Sequence, residues 1–336
     1  MAGKLQFSLE QYQEAAHKFR KELLMLPIIG IQDTLKFMTG RPGIRYKESV
    51  GTMNSNAQFA PYKASRRSDA NLDIVFRTLE TFFGSVVADF EPNTAISTLL
   101  GTGATKGDGQ MSTPSAKNVL ALIAKSLSEN LNAAIWNGVR DASGDTTKDL
   151  FNGFDTITDQ EIAAGTIARS EGNYIKLDEE IDVTNAVDVA KNILFSLDPR
   201  LRAQNLIMYT SQDFADKYNE AYQLTHAGIP YNEKYAQVAV EGSNGKLTIV
   251  PLFNKAESKF IHIAPKSNML IGYDQMSDVE SVMVKEYAPF VLSYIATMFF
   301  GVQFESIDKR KLMVVELADS EEVTAEPTTA EPTPEP

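Results

Sequence analysis

Between Ser112 and Gly138 the sequence reads STPSAKNVLALIAKSLSENLNAAIWNG, and no other stretch constrains the fold as strongly. Thr113 can cap a helix, Pro114 fits a first helical turn, and Gly138 ends the run. Leu120, Ile123, Leu127, Leu131 and Ala134 form one apolar stripe, widened by Val119 and Ile135. The spacing predicts a helix over 113–137. At 1.5 Å per residue it would be a rod of roughly 36 Å, long enough to serve as a spine.

A second stretch asks for such a partner. In YIATMFFGVQFESIDKRKLMVVEL, from Tyr294 to Leu317, strand alternation puts Tyr294, Ala296, Met298, Phe300, Val302 and Phe304 on one face. That face is almost wholly apolar, and the long helix is expected to cover it. Leu9, Tyr12, Ala16, Phe19 and Leu23 predict a short amphipathic helix over 9–24, with Ser8 and Gln11 at capping-box spacing. A stretch broken by Pro27, Gly30, Gly40, Pro42, Gly43, Gly51 and Pro61 follows and reads as a long loop, polar and basic past Gly43. A loop of that length inside a compact domain is either mobile or ordered by something outside the subunit. NLDIVFRTLETFFGSVVADFEP reads as two strands around Gly84.

The segment near 184–275 is α/β in character. TNAVDVAKNILFSL and SQDFADKYNEAYQLTHAG read as helices, the first ending near Pro199, and NLIMYT, LTIVPLF, KFIHIAP and NMLIGY as strands. The chain then returns to strands at SVMVKEY, LSYIATMFFGVQF and KLMVVEL. Early strands, a long helix, an inserted α/β block and late strands predict an α+β fold with discontinuous domains.

Charge is distributed unevenly. The net charge is −12, yet residues 1–67 carry eleven Lys and Arg against five acids. Residues 318–336 hold six acids and no base, with proline and almost no apolar anchors, and are expected to be a disordered tail. No run approaches the roughly 18 apolar residues of a membrane helix, and the charged N-terminus is unlike a signal peptide. With no cysteine, disulfides, thiolate zinc sites and cysteine nucleophiles are excluded.

Motifs for chemistry fail on inspection. Gly101–Gly109, GTGATKGDG, lacks the glycine–lysine–Ser/Thr order of a phosphate loop and the third glycine of a dinucleotide site. Asp141–Asp149, DASGDTTKD, places Gly144 at loop position 4 rather than 6, so it reads as a polar turn, not a calcium loop. His17, His226 and His262 belong to no metal or triad motif, and no serine sits in a nucleophile elbow. No enzymatic function, cofactor or metal is expected.

In order, these elements resemble the major capsid proteins of tailed bacteriophages, the Hong Kong 97-type fold. The resemblance implies an N-terminal arm (1–43), an extended loop (44–70), a peripheral domain (71–183 and 276–317) with its spine helix at 113–137, and an axial domain (184–275). FNGFDTI would then be a short strand after the spine. It implies self-assembly into hexamers and pentamers of an icosahedral head enclosing DNA without sequence-specific binding. The portal, a separate scaffold and decoration proteins would be its partners, and the virion its location after synthesis in host cytoplasm. Arg41, Arg45, Lys47, Lys63, Arg66 and Arg67 would then meet acids of an adjacent subunit, and the acidic tail would face outward, away from DNA. An encapsulin-type compartment shell, or a soluble α/β enzyme without a recognisable motif, are the alternative readings.

Overall fold

A computed structural model of the chain describes residues 9–19, 32–55, 58–64, 67, 72–91, 113–225, 239–274, 282–289 and 291–318. The phosphate-loop candidate at 101–109, His226, Arg66 and the acidic tail beyond 318 lie outside them. Among the described residues the chain forms two five-stranded mixed sheets and one two-stranded ribbon.

The long apolar run forms α3 (Thr113–Asn137), and the late aromatic run forms β11 (Val291–Phe304). β11 is the centre of the first sheet. It pairs antiparallel with β4 (Phe82–Phe90), β9 (Met269–Tyr273) and β10 (Val282–Ala288). The fifth strand, β1 (Thr39–Pro42), joins β9 in parallel. The expected apolar face of β11 is buried toward its two ends, while Ala296 and Met298 between them are only partly buried. Tyr294 is buried with Leu120 of α3 and Tyr12 of α1 (Leu9–Lys18). Phe300, Val302 and Phe304 pack with Trp136, Phe151 and Phe154. Burying one such side chain fully contributes about 1.5–3 kcal/mol, so this seam is a main source of the body's stability.

The second sheet runs β5 (Tyr174–Lys176), β12 (Met313–Glu316), β8 (Phe260–Ala264), β6 (Leu206–Thr210), β7 (Leu247–Pro251). α5 (Ala186–Ser196) and α7 (Gln212–Thr225) cover one face through Ile193, Leu194, Phe214 and Tyr218. The C-terminal end of α3 and α4 (Phe154–Ala163) cover the other through Trp136 and Phe154. Membership of the sheets therefore crosses the sequence boundaries at 183 and 276. β9 leaves the α/β block for the first sheet, whereas β5 and β12 enter the second.

Several local readings need correction. FNGFDTI does not form a strand: α4 starts at Phe154, because Phe154, Ile157 and Thr158 share a helical face and are buried together. The break between the two early strands falls at Thr81, not Gly84. β3 runs Leu72–Glu80, and Gly84 lies inside β4 beneath the Leu150 side chain. The basic stretch past Gly43 is not loop throughout. Lys47–Ser55 forms β2, which pairs residue for residue with β3 and makes the loop an antiparallel ribbon. Its sparse alternation hid it, because β3 supplies the pairing. Pro199 does not merely end a helix; it opens the four-residue α6 (Pro199–Arg202), capped by the Asp198 carboxylate accepting from the Arg200 amide. Of the helix expected over 9–24, Leu9–Lys18 is helical and residues beyond 19 are outside the described set. A short helix, α2 (Gln32–Leu35), precedes β1.

Candidate assembly surface

A tight cluster of ionisable and nucleophilic groups among the described residues is buried. Lys255 is 1% exposed and its Nζ donates to the Phe260 carbonyl at 2.5 Å and Ser258 Oγ at 2.6 Å, with Asp155 Oδ1 at 3.3 Å. It also lies 4.3 Å from the Trp136 ring centroid. His262 Nε2 is 2.8 Å from Thr158 Oγ1, and its Nδ1 is 3.8 Å from Asp155 Oδ1. Trp136, Phe260 and Phe304 surround the imidazole at 5.5 to 6.0 Å. The Thr158–His262 and Asp155–Lys255 contacts tie α4 to β8 and the turn before it. His17, by contrast, is exposed on α1.

Burial sets the protonation of this cluster. It pushes the Asp155 carboxyl up, against the opposing pull of Lys255, and pushes the Lys255 ammonium down. Burial, followed by the Lys255 charge, holds His262 well below the usual imidazole range. The imidazole thus stays neutral in the fold and takes a proton only on unfolding. Its contribution is complete above the unfolded pKa of about 6.5 and is lost as pH falls toward the folded value. Wild type should lose about 1.4 kcal/mol per pH unit through this group below pH ~6. His262→Gln should remove that slope, read as denaturant midpoint against pH; parallel profiles for the two proteins would contradict the assignment.

Apolar exposure concentrates on the ribbon. Met53 is 73% exposed on β2, and Ile74, Val75 and Phe76, consecutive in β3, are 42%, 47% and 68% exposed. Consecutive strand residues point to opposite faces, so both faces are apolar and uncovered by this chain. At the tip, Phe59 and Tyr62 are also exposed. Patches of this kind mark interaction surfaces in soluble proteins.

The root of the ribbon is held firmly. Ile44, Val50, Leu79 and Leu270 form a small buried cluster. Arg77 of β3 donates to Glu161 of α4 at 2.6 Å and to Gln303 of β11 at 3.0 Å. Burial raises the Glu161 pKa, but hydrogen bonds from Thr166 and Arg77 outweigh it, leaving the carboxyl lowered and ionised. Gly272 and Gly301 face each other across β9 and β11. A Cβ on Gly301 would stand 2.0 Å from the Glu80 carbonyl oxygen, and one on Gly272 2.9 Å from Thr81 Cγ2. The two glycines form a bare seat on which the Glu80–Thr81 backbone crosses the sheet.

Of the six cations, the five described ones divide between root and tip, and Arg66 lies outside the described residues. Arg41 pairs with Glu48 at 3.4 Å, Arg45 with Asp274 at 2.8 Å, and Lys47 with Glu80, all within the chain. Lys63 and Arg67 are exposed at the tip and form no ion pair among the described residues. Arg77, Glu161 and the paired glycines escaped the sequence reading. A single glycine within the aromatic strand FFGVQF was the available signal, since an interior strand glycine marks close backbone approach.

A cavity of about 500 Å³ opens beside β4. Leu127 and Leu131 of α3 and Tyr294 and Met298 of β11 line it, and the turn carrying Asp141, Asp145 and Asp149 forms its rim.

No protein-family model matches the sequence, and no curated protein matches it. Solved structures do. A chain of the satellite phage P4 procapsid including size determination (Sid) protein superposes with a TM-score of 0.58 at 13% identity, over 87% of this chain and 90% of that one. The capsid of the empty GTA particle gives 0.54 at 14% identity, covering 86% and 89%. The cyanophage A-1(L) capsid gives 0.52 at 12% identity, covering 87% and 92%. The chain has the α+β, Hong Kong 97-type fold common to these capsid chains.

Proposed function

We propose that this chain is a major capsid protein of a tailed phage, whose copies assemble into hexamers and pentamers of an icosahedral head around DNA. The fold shared with capsid chains supports the class. The observation that carries the reading is the ribbon, which exposes Met53, Ile74, Val75 and Phe76 on two faces that its own chain leaves uncovered. Its ordering is offset on assembly, when a neighbouring copy covers it. The role is structural rather than catalytic, with the virion as location. A portal, and a separate scaffold where one is used, are its expected partners.

In this reading the ribbon is the extended loop, and the first sheet with α1 and α3 forms the peripheral part around the spine. The second sheet with α5 and α7 forms the axial part, at the centre of each ring. Lys63, Arg66 and Arg67 meet acids of the neighbour, and Arg41, Arg45 and Lys47 brace the root through their intrachain pairs. Many individually weak contacts repeated by symmetry then sum to a stable shell.

Negative-stain microscopy and sedimentation of the purified chain test the proposal. Closed shells or rings are expected, and a chain that stays monomeric at high concentration over a range of salt, with no heads on co-expression of phage genes, would sink it. Particles that enclose a cargo enzyme instead of DNA would point to a compartment shell. Arg66→Glu with Arg67→Glu should lower particle yield sharply while leaving the thermal melt of the subunit unchanged. Undiminished yield by sedimentation would remove the tip from the contact.

A further inference from the structure

In the second sheet β5, β12, β6 and β7 run in one direction, with β8 antiparallel between β12 and β6. The residues that lead into those four strands therefore share one end of the sheet. Arg200 and Arg202 sit on α6 ahead of β6, Lys246 immediately precedes β7, and Lys309, Arg310 and Lys311 lead into β12. Hydrogen bonds hold these segments together. The Gln204 side-chain amide donates to the Arg200 and Arg310 carbonyls at 3.0 and 3.1 Å, and Lys246 Nζ donates to the Ala203 carbonyl at 3.2 Å. Six cations thus gather on a chain whose net charge is −12.

The acids around them are engaged elsewhere. Asp198 caps α6, Asp308 accepts from the Arg310 amide at 2.9 Å, and Glu241 pairs with Lys191 at 3.0 Å. Arg310 lies 3.9 Å from Asp308, and the other five cations form no ion pair among the described residues. Glu171, ahead of β5, is exposed. The Arg202 guanidinium is laid 5.0 Å from the Phe195 ring, itself 61% exposed. The opposite end of the sheet is acidic: Asp178, Glu179 and Glu180 follow β5 and are exposed. β12 runs toward that end, so the six acids of 318–336 begin there and not beside the cations.

Neighbouring strands lie about 4.8 Å apart, so the row from β12 to β7 spans about 14 Å. Duplex DNA carries one charge per about 1.7 Å of its axis, or roughly eight phosphates over that span. A regular polyanion meets such a row without matched carboxylates. We propose that this end of the second sheet binds the phosphate backbone of duplex DNA, and that in the shell it faces the enclosed DNA. The binding surface stands on the geometry alone, whereas its inward placement rests on the assembly reading above.

The test titrates the unassembled chain into a labelled random-sequence duplex of about 30 base pairs and reads fluorescence anisotropy from about 50 to about 200 mM salt. Six phosphate contacts should give a slope of log affinity against log salt of about −5. Lys309→Glu with Lys311→Glu should weaken binding at least about tenfold at low salt and flatten the slope by about two. Lys125→Glu with Lys285→Glu, the same charge change on α3 and β10, should leave both near wild type. No binding at the lowest salt, or equal losses from both pairs with normal thermal melts, overturns the surface. In particles, acetylation of Lys309 and Lys311 should be slower in DNA-filled than in empty shells, and equal rates overturn the inward placement. Coupling of these lysines to carboxylates of another chain by a zero-length reagent would assign the end to a protein neighbour and overturn the proposal. A chain that forms no particles removes the assembly reading, and the titration still decides the surface.

Discussion

Gly301→Ala is expected to destabilise the body by about 3 kcal/mol, the upper part of the range for overpacking a close-packed site. The atom in the way is the Glu80 carbonyl oxygen, 2.0 Å from the new Cβ, and it is backbone rather than the end of a flexible side chain. That backbone has nowhere to retreat. The Thr81 amide donates to the Tyr46 carbonyl at 2.7 Å, and the Thr81 hydroxyl donates to the Ile44 carbonyl at 3.2 Å. Relief comes only by lifting the ribbon root off the sheet, which breaks the packing of Leu79 against Ile44 and Leu270. Denaturant unfolding of the unassembled chain should show the loss, and hydrogen exchange should show faster exchange in β2 and β3 than in the second sheet. A wild-type midpoint would mean that the seat is not tight. Assembly should suffer beyond the stability loss, because the ribbon is no longer aimed.

Lys255→Met should cost about 3–5 kcal/mol, the penalty for breaking a buried ion pair from one side. The substitution keeps an unbranched apolar side chain at this site but leaves Asp155 without its lysine partner, 3.8 Å from His262 Nδ1. Because burial already pushes that carboxyl up, it responds by taking a proton, and the damage should shrink as pH is lowered. The sign follows directly: a raised folded pKa contributes stability below the unfolded value and loses it as pH rises. Adding Asp155→Asn removes the orphaned charge and should recover most of the loss. A double variant no more stable than Lys255→Met would show that the lysine acts by packing alone.

Much of the architecture could be read from apolar periodicity. α3, β11 and, in the second sheet, β6, β7, β8 and β12 each carry enough buried side chains to declare their own period, whereas the three-residue β5 has none and is set by its pairing with β12. What could not be read was set by neighbours. β2 has Val50 and little else to mark it, and becomes a strand because β3 pairs with it. The strand that the resemblance implies at FNGFDTI is instead the start of α4, where Phe154 packs against Trp136. The basic residues were visible as a group, but charge does not reveal its partner. Glu48, Asp274 and Glu80 claim three of the six within the chain. Asp274 lies 229 residues from Arg45, and only the pairing of β1 with β9 brings them together.

The order of strands bears on synthesis at the ribosome. β11 sits in the middle of one sheet and β12 between β5 and β8 in the other, yet both are drawn from residues after 290. Neither half of the body can close while those residues are still inside the exit tunnel. Messages cut short or ribosomes that stall therefore release polypeptides lacking a keystone in both layers, and such fragments cannot pass as building blocks in a growing particle.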